Sequence, residues 1–221
     1  MTTRRKYDDG CATAYALDLV GERWALLVVR ELLFDPKRFT DLRNGLPGAS
    51  PNVLSQRLRE LDQAGILRRR RLPPPAAAWV YELTPWGREL EPVVAALGRW
   101  GAQAPGTRGG GPISVDSMML ALRSLYDPER AAGWVVDVVV SLGEDGFRAT
   151  VTPEGLRVAR EQVDRPDVVI HTDTVTLNSV ICGRRALEEV LAAEDLVVDG
   201  DDAVAMRFLT LFPFPQPVAQ G

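Results

Sequence analysis

Side chains that form hydrogen bonds recur at helical spacing between residues 50 and 65. Asn52, Ser55, Gln56, Arg57 and Arg59 carry groups that can reach the base edges or the phosphates of a nucleic acid. The apolar residues of this stretch recur at the same spacing on the opposite side, which predicts an amphipathic helix with one polar face. These apolar residues are Val53, Leu54, Leu58 and Leu61.

The two ends of this stretch carry residues typical of helix ends. Ser50 can cap the first free backbone N–H groups, and Pro51 follows at a position where its missing N–H costs nothing. Gly65 suits the left-handed conformation that often ends a helix. Helices with arginine on the solvent face also occur in proteins that bind no nucleic acid, so the neighbouring elements must decide between the two interpretations.

A short helix before this stretch and a hairpin after it favour DNA binding. Residues 38–46 predict a helix capped by Thr40 or by the preceding turn, with Gly48 in the connection that follows. Residues 66–72 and 79–83 are β-prone runs separated by a proline-rich tip, which predicts a β-hairpin. Two short helices joined by a tight turn, followed by a hairpin, predict a winged helix-turn-helix whose second helix enters the major groove of double-stranded DNA.

The candidate contacts divide into two kinds. Asn52, Gln56 and Ser55 are predicted to contact base edges. The arginines and Thr40 are predicted to contact mostly phosphates, with one wing arginine in the minor groove. The full set of candidate DNA-binding residues is Thr40, Arg43, Ser50, Asn52, Ser55, Gln56, Arg57, Arg59, Arg68, Arg69, Arg70 and Arg71.

Three further helices are predicted around this unit. Residues 11–20 form the first helix, and the nearly all-apolar run 24–33 forms a second helix that belongs in the centre of a core. Thr84 caps a third helix over residues 86–100, which is more apolar than a small winged domain can cover. We expect this helix to form a dimer contact together with the first helix.

Composition and charge indicate a globular protein with two different halves. The chain is 46% hydrophobic and 25% charged, which allows a substantial core. Residues 1–105 carry 16 basic against 12 acidic side chains, whereas residues 106–221 carry 10 against 18. This asymmetry predicts a basic binding module joined to an acidic module with another role.

The sequence offers little for catalysis, metal binding or secretion. Cys11 and Cys182 lack metal-ligand spacing, and the one histidine, His171, has no ligand pattern around it. We therefore expect no enzyme activity, no cofactor and no metal. The charged start of the chain and the lack of a long apolar run predict a cytoplasmic protein with no membrane partner.

An ordered set of short motifs occupies residues 16–24, 30–33, 38–43, 46–48, 53–61, 64–66 and 81–84. Together these motifs resemble the HxlR family of winged-helix transcriptional regulators over residues 11–101. The resemblance implies a homodimer on an inverted-repeat operator, and repression is the expected outcome because a dimer over a promoter blocks polymerase.

The resemblance also draws attention to Cys11. Many relatives carry a cysteine before the first helix, and some use it to sense electrophiles or oxidants. Cys11 stands in the matching place. It is either such a redox residue or a small apolar residue buried at a dimer interface.

Glycine and proline in residues 102–112 predict a linker between two domains, residues 1–101 and 113–221. The second half predicts a helix, three meandering strands with Arg157 and Arg160 on an outer face, a short strand, two helices, a last strand and a last helix. The fold class is therefore α+β.

The meandering strands, the segment 166–171, the turn at 183–188 and the segment 196–201 before a final helix occur in this order. Together they resemble the sterol carrier protein 2-like (SCP2-like) domain over residues 113–214, most specifically over residues 173–201. The resemblance implies an α/β domain with a mainly antiparallel sheet and an apolar cavity that takes a small hydrophobic ligand. The same side chains would also simply fill a core. The candidate lining residues are Met118, Met119, Leu122, Trp134, Val136, Val138, Phe147, Met206, Phe208 and Leu209.

The favoured hypothesis is a dimeric DNA-binding repressor whose second domain holds a hydrophobic effector. Its main alternative gives the second domain a ligand-free role in dimerisation or partner docking. A third hypothesis is a lipid carrier whose winged helix contacts only proteins, which the basic hairpin disfavours. A thiol switch through Cys11 is compatible with the first hypothesis.

Overall fold

The computed structural model describes residues 7–104, 112–161 and 163–218, and the chain divides into two units, Met1–Val94 and Ala95–Gly221. The division falls inside a helix, several residues before the linker predicted at 102–112. Most of that predicted linker lies outside the described residues, so the linker stays a prediction. Within the described ranges, no helix combines the length and apolar character needed to cross a membrane.

The first unit is built around a buried apolar helix. Helix α1 spans Ala12–Val20, and α2 spans Ala25–Glu31. Val28 and Val29 of α2 have no solvent exposure, which confirms the prediction of a central helix. Helix α2 begins one residue later than predicted because Trp24 adopts a left-handed conformation (φ 77°).

The helix-turn-helix is formed by α3 (Phe39–Gly45) and α4 (Pro51–Gln63). The predicted caps of α4 are confirmed: the Ser50 hydroxyl accepts a hydrogen bond from the Val53 N–H at 3.4 Å, and Gly65 follows the helix with φ +72°. Glycine suits that backbone conformation because it has no Cβ to clash with the carbonyl.

The cap of α3 differs from the prediction. Thr40 lies inside the helix, and the residue at its N-terminal boundary is Arg38. The Asp41 carboxylate accepts a hydrogen bond from the Arg38 N–H at 3.0 Å, so the carboxylate at the third helical position satisfies the free donor.

The predicted hairpin is confirmed as strands β1 (Leu67–Arg71) and β2 (Trp79–Leu83). They pair antiparallel, with Leu67 opposite Leu83 and Arg71 opposite Trp79. Leu67 and Leu83 are buried at the base of the hairpin, which fixes its register against the core.

The single helix predicted over residues 86–100 is wrong. The structure contains a short helix α5 (Pro85–Arg88), capped by Thr84, and a separate helix α6 (Glu91–Ala102). Pro92 accounts for the break, because it has no N–H to donate to the Arg88 carbonyl and its ring disfavours a helical conformation at the preceding residue.

The second unit confirms the predicted order of elements and adds one short helix. Its helices are α7 (Val115–Leu125), α8 (Pro128–Ala131), α9 (Thr174–Ile181), α10 (Leu187–Ala192) and α11 (Asp202–Leu209). Its strands are β3 (Val136–Leu142), β4 (Asp145–Thr152), β5 (Gly155–Ala159), β6 (Val168–Thr172) and β7 (Val197–Gly200). The helix that was not predicted is α8.

These described strands form one sheet in the order β5-β4-β3-β6-β7. The sheet is mainly antiparallel, as predicted, and the pairing of β3 with β6 is parallel. Buried and half-buried residues alternate along β3, so one face of the sheet forms the core. Helix α7 packs on β5 and α9, and α11 packs on β6 and β7.

Most of the predicted cavity residues lie in this core. Met118, Met119, Leu122, Val138, Phe147 and Phe208 have no exposure, and Val136 and Leu209 are buried. Two of the predicted residues are not fully buried. Met206 is 37% exposed, and Trp134 is half-buried beneath the Arg207 guanidinium, which lies 4.3 Å from the ring centre. Met206 faces away from the core because it is two residues before Phe208 on α11.

Candidate nucleic-acid interface

Helix α4 presents two distinct faces. Leu54, Leu58 and Leu61 are at most 1% exposed, which confirms the predicted apolar stripe except at Val53, which is half-buried. Asn52 and Arg59 are exposed and lie about two turns apart on the other side. Half-buried Ser55 and Gln56 lie between Asn52 and Arg59, so these four side chains form one polar row. Ser50 is also exposed, at the start of the helix.

Arg57 does not lie on this polar face, contrary to the prediction. Its guanidinium forms an ion pair with Glu60 one turn further along α4, and its Nη2 lies 3.6 Å from Glu22 Oε2. The residue is 8% exposed, and its Nε is buried without a hydrogen-bond partner. Arg57 thus joins α4 to the turn after α1, and it is placed at the edge of the core rather than toward a phosphate.

Glu60 also holds Gln56. The Gln56 Nε2 donates a hydrogen bond to Glu60 Oε1 at 3.0 Å, while Glu60 Oε2 accepts from Arg57. The i, i+4 spacing of Gln56 and Glu60 brings the two side chains together on the helix surface. Both carboxylate oxygens are therefore occupied within the protein, and the Gln56 amide is held in one orientation.

Helix α3 contributes Thr40 and Arg43, which are both exposed. The Thr40 hydroxyl donates to Asp41 Oδ1 at 3.3 Å, so its orientation is set within the helix. The structure also exposes Arg38 at the start of this helix, a residue that the sequence analysis did not select. It lies beside Thr40 in the chain and adds positive charge to the helix-turn-helix surface.

On one face of the wing, Glu82 holds two arginines. Arg68 Nε lies 2.7 Å from Glu82 Oε1, and Arg70 Nε lies 2.5 Å from Glu82 Oε2. Burial raises the pKa of the Glu82 carboxyl, but hydrogen bonds and charge from Arg70 and Arg68 outweigh it and hold the pKa below its usual value. The two guanidinium groups remain partly exposed, so each keeps donors for an outside acceptor.

The other face of the wing carries Arg69 and Arg71. The Arg69 guanidinium lies 4.5 Å from the ring centre of Trp79, a cation–π arrangement that restricts the side chain. Arg71 is exposed at the end of β1, near the tip of the hairpin. The four wing arginines therefore point to both faces of the hairpin, as expected from alternation along a strand.

A buried carboxylate connects the wing to the helical core. Glu31 has no exposure and forms ion pairs of 2.9 Å with Arg30 and Lys37. The backbone of Lys37 exchanges two hydrogen bonds with Tyr81 on β2. A methyl group at Gly45 would lie 2.3 Å from Glu31 Oε2, so α3 ends directly against this carboxylate. Glu31 was not among the residues predicted from the sequence, although a charge inside an apolar run was a visible signal.

Cys11 lies at the start of α1 and is exposed. Hydrogen bonding from the Thr13 and Ala14 backbone amides, and from the Thr13 side chain, lowers the pKa of the Cys11 thiol. This effect of the helix start on the Cys11 thiol was not predicted from the sequence. The other thiol, Cys182, is half-buried, and burial raises its pKa.

Apolar side chains remain exposed on α1 and on the helices after the wing. Tyr15 and Leu17 of α1 are 65% and 42% exposed, and Trp86 of α5 is 50% exposed. A groove of about 240 Å³ lies in this surface, lined mainly by apolar side chains of α1, α5 and Ile66. Along α6 the exposed apolar residues are Val93, Leu97 and Trp100.

The described residues contain no group of three or more histidine, cysteine, aspartate or glutamate side chains arranged to hold a metal ion. His171 is exposed on β6, where it lies opposite Val197.

The part of the chain that forms the capped polar helix, the preceding helix and the basic hairpin is similar in sequence to known proteins. The family model described as HxlR-like helix-turn-helix matches residues 19–107. The uncharacterized HTH-type transcriptional regulator YvaP of Bacillus subtilis (strain 168) is 34% identical over 88 residues, which cover 40% of this chain and 82% of YvaP. This chain belongs to the HxlR-like helix-turn-helix family.

Further relatives of this HxlR-like regulator match the same part of the chain. The uncharacterized HTH-type transcriptional regulator sll1512 of Synechocystis sp. (strain ATCC 27184 / PCC 6803 / Kazusa) is 37% identical over 92 residues, covering 42% of this chain and 68% of sll1512. The reduced form of the transcriptional regulator YodB from B. subtilis is 32% identical, with a TM-score of 0.40, and covers 44% of this chain and 97% of YodB. The family match contains the whole candidate interface.

Proposed function

We propose that this HxlR-like transcriptional regulator acts as a homodimeric repressor on an inverted-repeat DNA operator. Each α4 would lie in a major groove, with Asn52, Gln56 and Ser55 toward the base edges. Arg59 would contact a phosphate beside them, and the wing arginines would follow the backbone of the adjacent groove. Arg57 is left out of the contact set, because it is buried against Glu60 and Glu22.

The single observation that carries this proposal is the polar row on α4. Asn52 and Arg59 are exposed on the side of the helix opposite the buried leucines, and the caps at both ends fix the helix in place. Arginines of the wing and of α3 extend the positive charge beyond the helix. A polar helix flanked by positive charge is the arrangement that phosphate attraction and base contacts require together.

The exposed apolar surface supports the homodimer. A monomer with Trp100 74% exposed and Tyr15 65% exposed leaves large side chains in water, whereas a second copy would cover them. A two-fold dimer would also place two α4 helices in register with the halves of an inverted repeat, about one helical turn of DNA apart or a multiple of it.

DNA binding is tested by measuring the affinity of the full-length protein for duplex DNA at several salt concentrations. We expect log affinity to fall linearly with log salt, because bound cations are released from the phosphates. Arg59→Ala and Arg71→Ala should each reduce the slope by about one. Arg130→Ala, in the second unit, is the matched control and should leave the slope unchanged. Affinity independent of salt would rule out the proposal.

The second unit is proposed to hold a small hydrophobic effector. The proposal is supported by the resemblance of residues 113–214 to the SCP2-like domain and by adjacent buried methionines, Met118 and Met119, whose flexible side chains can adapt to a guest. An effector would change DNA affinity only if it bound the DNA-competent and incompetent states unequally.

Native mass spectrometry of the purified full-length protein tests the effector. A dimer with an added mass that is lost on denaturation, and whose extracted compound weakens DNA binding, would support a sensor. A dimer without added mass, and without response to fatty acids or other apolar compounds, would favour the alternative of a ligand-free dimerisation or docking module.

A thiol switch through Cys11 is a second candidate mode of regulation. It is favoured by the exposure of Cys11 at the start of α1 and by the lowered pKa of its thiol, which increases the reactive thiolate fraction. An oxidant or electrophile should then change DNA affinity in the native protein and in Cys182→Ser, but not in Cys11→Ser. If Cys11→Ser responded to the oxidant as strongly as the native protein does, the thiol switch through Cys11 would be ruled out.

A further inference from the structure

The contacts around Glu60 point to a role in base selection that deepens the proposed function and rests on it. We propose that Glu60 is a positioning residue that turns the carbonyl oxygen of Gln56 toward the DNA. Gln56 would then favour a base whose exocyclic amino group faces it in the major groove, adenine N6 or cytosine N4. Guanine O6 and thymine O4 would be disfavoured there.

The first step is the orientation of the Gln56 amide. A glutamine side chain carries an acceptor oxygen and a donor NH2 group, and it can present either of them. The NH2 group of Gln56 donates to Glu60 at 3.0 Å, so it is turned along the helix toward the next turn. Glu60 uses one of the two N–H donors of this NH2 group and holds the group along the helix, so the amide oxygen is the group that is turned toward an outside partner.

The second step is the fixation of Glu60 itself. Its other carboxylate oxygen accepts from Arg57, which is 8% exposed and also pairs with Glu22 in the turn after α1. Because Arg57 is packed at the edge of the core, Glu60 is held at both oxygens and cannot rotate freely toward the groove. A surface carboxylate without such a partner would sample many rotamers and position nothing.

The third step is electrostatic. Major-groove edges of adenine and cytosine offer amino hydrogens, whereas guanine and thymine offer keto oxygens at the corresponding place. A carbonyl oxygen attracts the amino hydrogens and repels the keto oxygens. The negative charge of Glu60 next to Gln56 adds to that repulsion. The connected side chains of Glu22, Arg57, Glu60 and Gln56 therefore convert a partly buried ion pair into a base preference.

The proposal makes opposite predictions for two substitutions at Glu60. In Glu60→Gln, the guanidinium of Arg57 can only donate, so it must bind the oxygen of the new amide at position 60. The NH2 group of that new amide then faces Gln56 and donates to the Gln56 oxygen. The NH2 group of Gln56 is therefore turned outward. The preference should then switch to guanine or thymine. In Glu60→Ala, Gln56 is released and the preference at that base pair should fall toward equality.

The experiment selects preferred sites from a random duplex pool with the full-length protein, then measures affinities for the four variants of each base pair. Gln56→Ala identifies the base pair involved, where native discrimination should be roughly 5- to 150-fold. The double variant Gln56→Ala/Glu60→Ala should lose no more base discrimination at that base pair than Gln56→Ala alone, because Glu60 acts through Gln56. Asp62→Ala, an exposed carboxylate on the same helix, should keep the native ranking.

The outcomes separate this inference from the proposed function. A native preference for adenine or cytosine that switches in Glu60→Gln supports the role of Glu60. Salt-dependent DNA binding with an unchanged ranking in Glu60→Gln and Glu60→Ala overturns that role and leaves DNA binding intact. Lack of salt-dependent binding in the native protein overturns both. Circular dichroism of each variant confirms that a changed ranking comes from a folded protein.

Discussion

At the scale of single residues, partly buried carboxylates set the directions of the basic side chains. Glu82 holds Arg68 and Arg70 on the wing, and Glu60 holds Arg57 on α4. A free arginine on a surface loses side-chain entropy when it binds a phosphate, and a carboxylate that restricts it beforehand reduces that loss. Glu60 and Glu82 therefore contribute to the basic surface of the first unit by restricting its arginine side chains.

The Glu82 contacts predict a pH-dependent stability. The pKa of Glu82 in the folded state lies below its usual value. The ionised carboxylate therefore stabilises the folded state fully above the unfolded-state pKa of about 4.3, and this stabilisation is lost as pH falls through the folded-state pKa. Glu82→Gln should lower the unfolding free energy at pH 7 by about 1 kcal/mol, a modest cost because both arginines are partly exposed to solvent. It should also flatten the decrease in stability below about pH 5.

Urea denaturation at pH 3 to 7 checks this expectation. Glu89→Gln, an exposed carboxylate of the same unit, is the control and should change stability by less than about 0.5 kcal/mol. Equal pH profiles for the two variants would contradict the role assigned to Glu82.

A second residue-scale prediction concerns Arg160, which was expected on an outer face and is instead partly buried. It follows β5, pairs with Asp116 at 3.2 Å and lies 4.3 Å from the ring centre of Phe147. Asp116 is 2% exposed, so Arg160→Met would leave a buried carboxylate without this partner and should cost about 3 kcal/mol. Calorimetry should show little change for Arg157→Met, whose side chain is 60% exposed. Similar losses in both variants would contradict the prediction.

At the scale of elements, close backbone packing fixes the wing against the helices that follow it. Gly87 of α5 lies where a Cβ would be 1.9 Å from the Ile66 carbonyl oxygen, immediately before β1. Thr84 reinforces this contact, since its hydroxyl donates to the Gly65 carbonyl at 2.7 Å and accepts from the Gly87 N–H at 3.0 Å. Any residue larger than glycine must push α5 away from the start of β1.

We therefore expect Gly87→Ala to reduce the unfolding free energy by about 1–3 kcal/mol, as in an overpacked core. Gly98→Ala on α6 is the matched control: nothing lies within 4 Å of its added methyl group, and alanine favours a helix by about 1 kcal/mol over glycine. Chemical denaturation should show opposite signs for the two variants. A neutral Gly87→Ala would mean that α5 is free to shift.

At the scale of the whole molecule, assembly should control DNA affinity. The exposed apolar residues of α6 include Leu97 and Trp100, and a charge among them would be buried in a dimer at high cost. Leu97→Asp should give a monomer by light scattering and reduce operator affinity at least tenfold, because a monomer contacts only one half-site. Val175→Asp, at an apolar residue 60% exposed on α9, should remain dimeric. A monomeric native protein would refute this dimer surface.

The sequence by itself determined the elements that depend on neighbours along the chain. The caps of α4, its buried stripe, the hairpin and the order of strands in the second unit follow from periodicity, capping and turn residues, which act over a few residues. The break before α6 was equally local, since Pro92 was visible, and it was missed because the apolar pattern continues through it.

Only the tertiary structure decided which polar side chains are free. Arg57 was assigned to the open face by spacing alone, yet Glu22 draws it to the edge of the core from a turn 35 residues earlier. Glu82 meets Arg68 only when the hairpin closes, and Arg160 meets Asp116 only when β5 packs on α7. Burial and charge pairing join residues that are distant in the chain. A periodic pattern therefore predicts which face of a helix a side chain occupies, but not which residues pair with it.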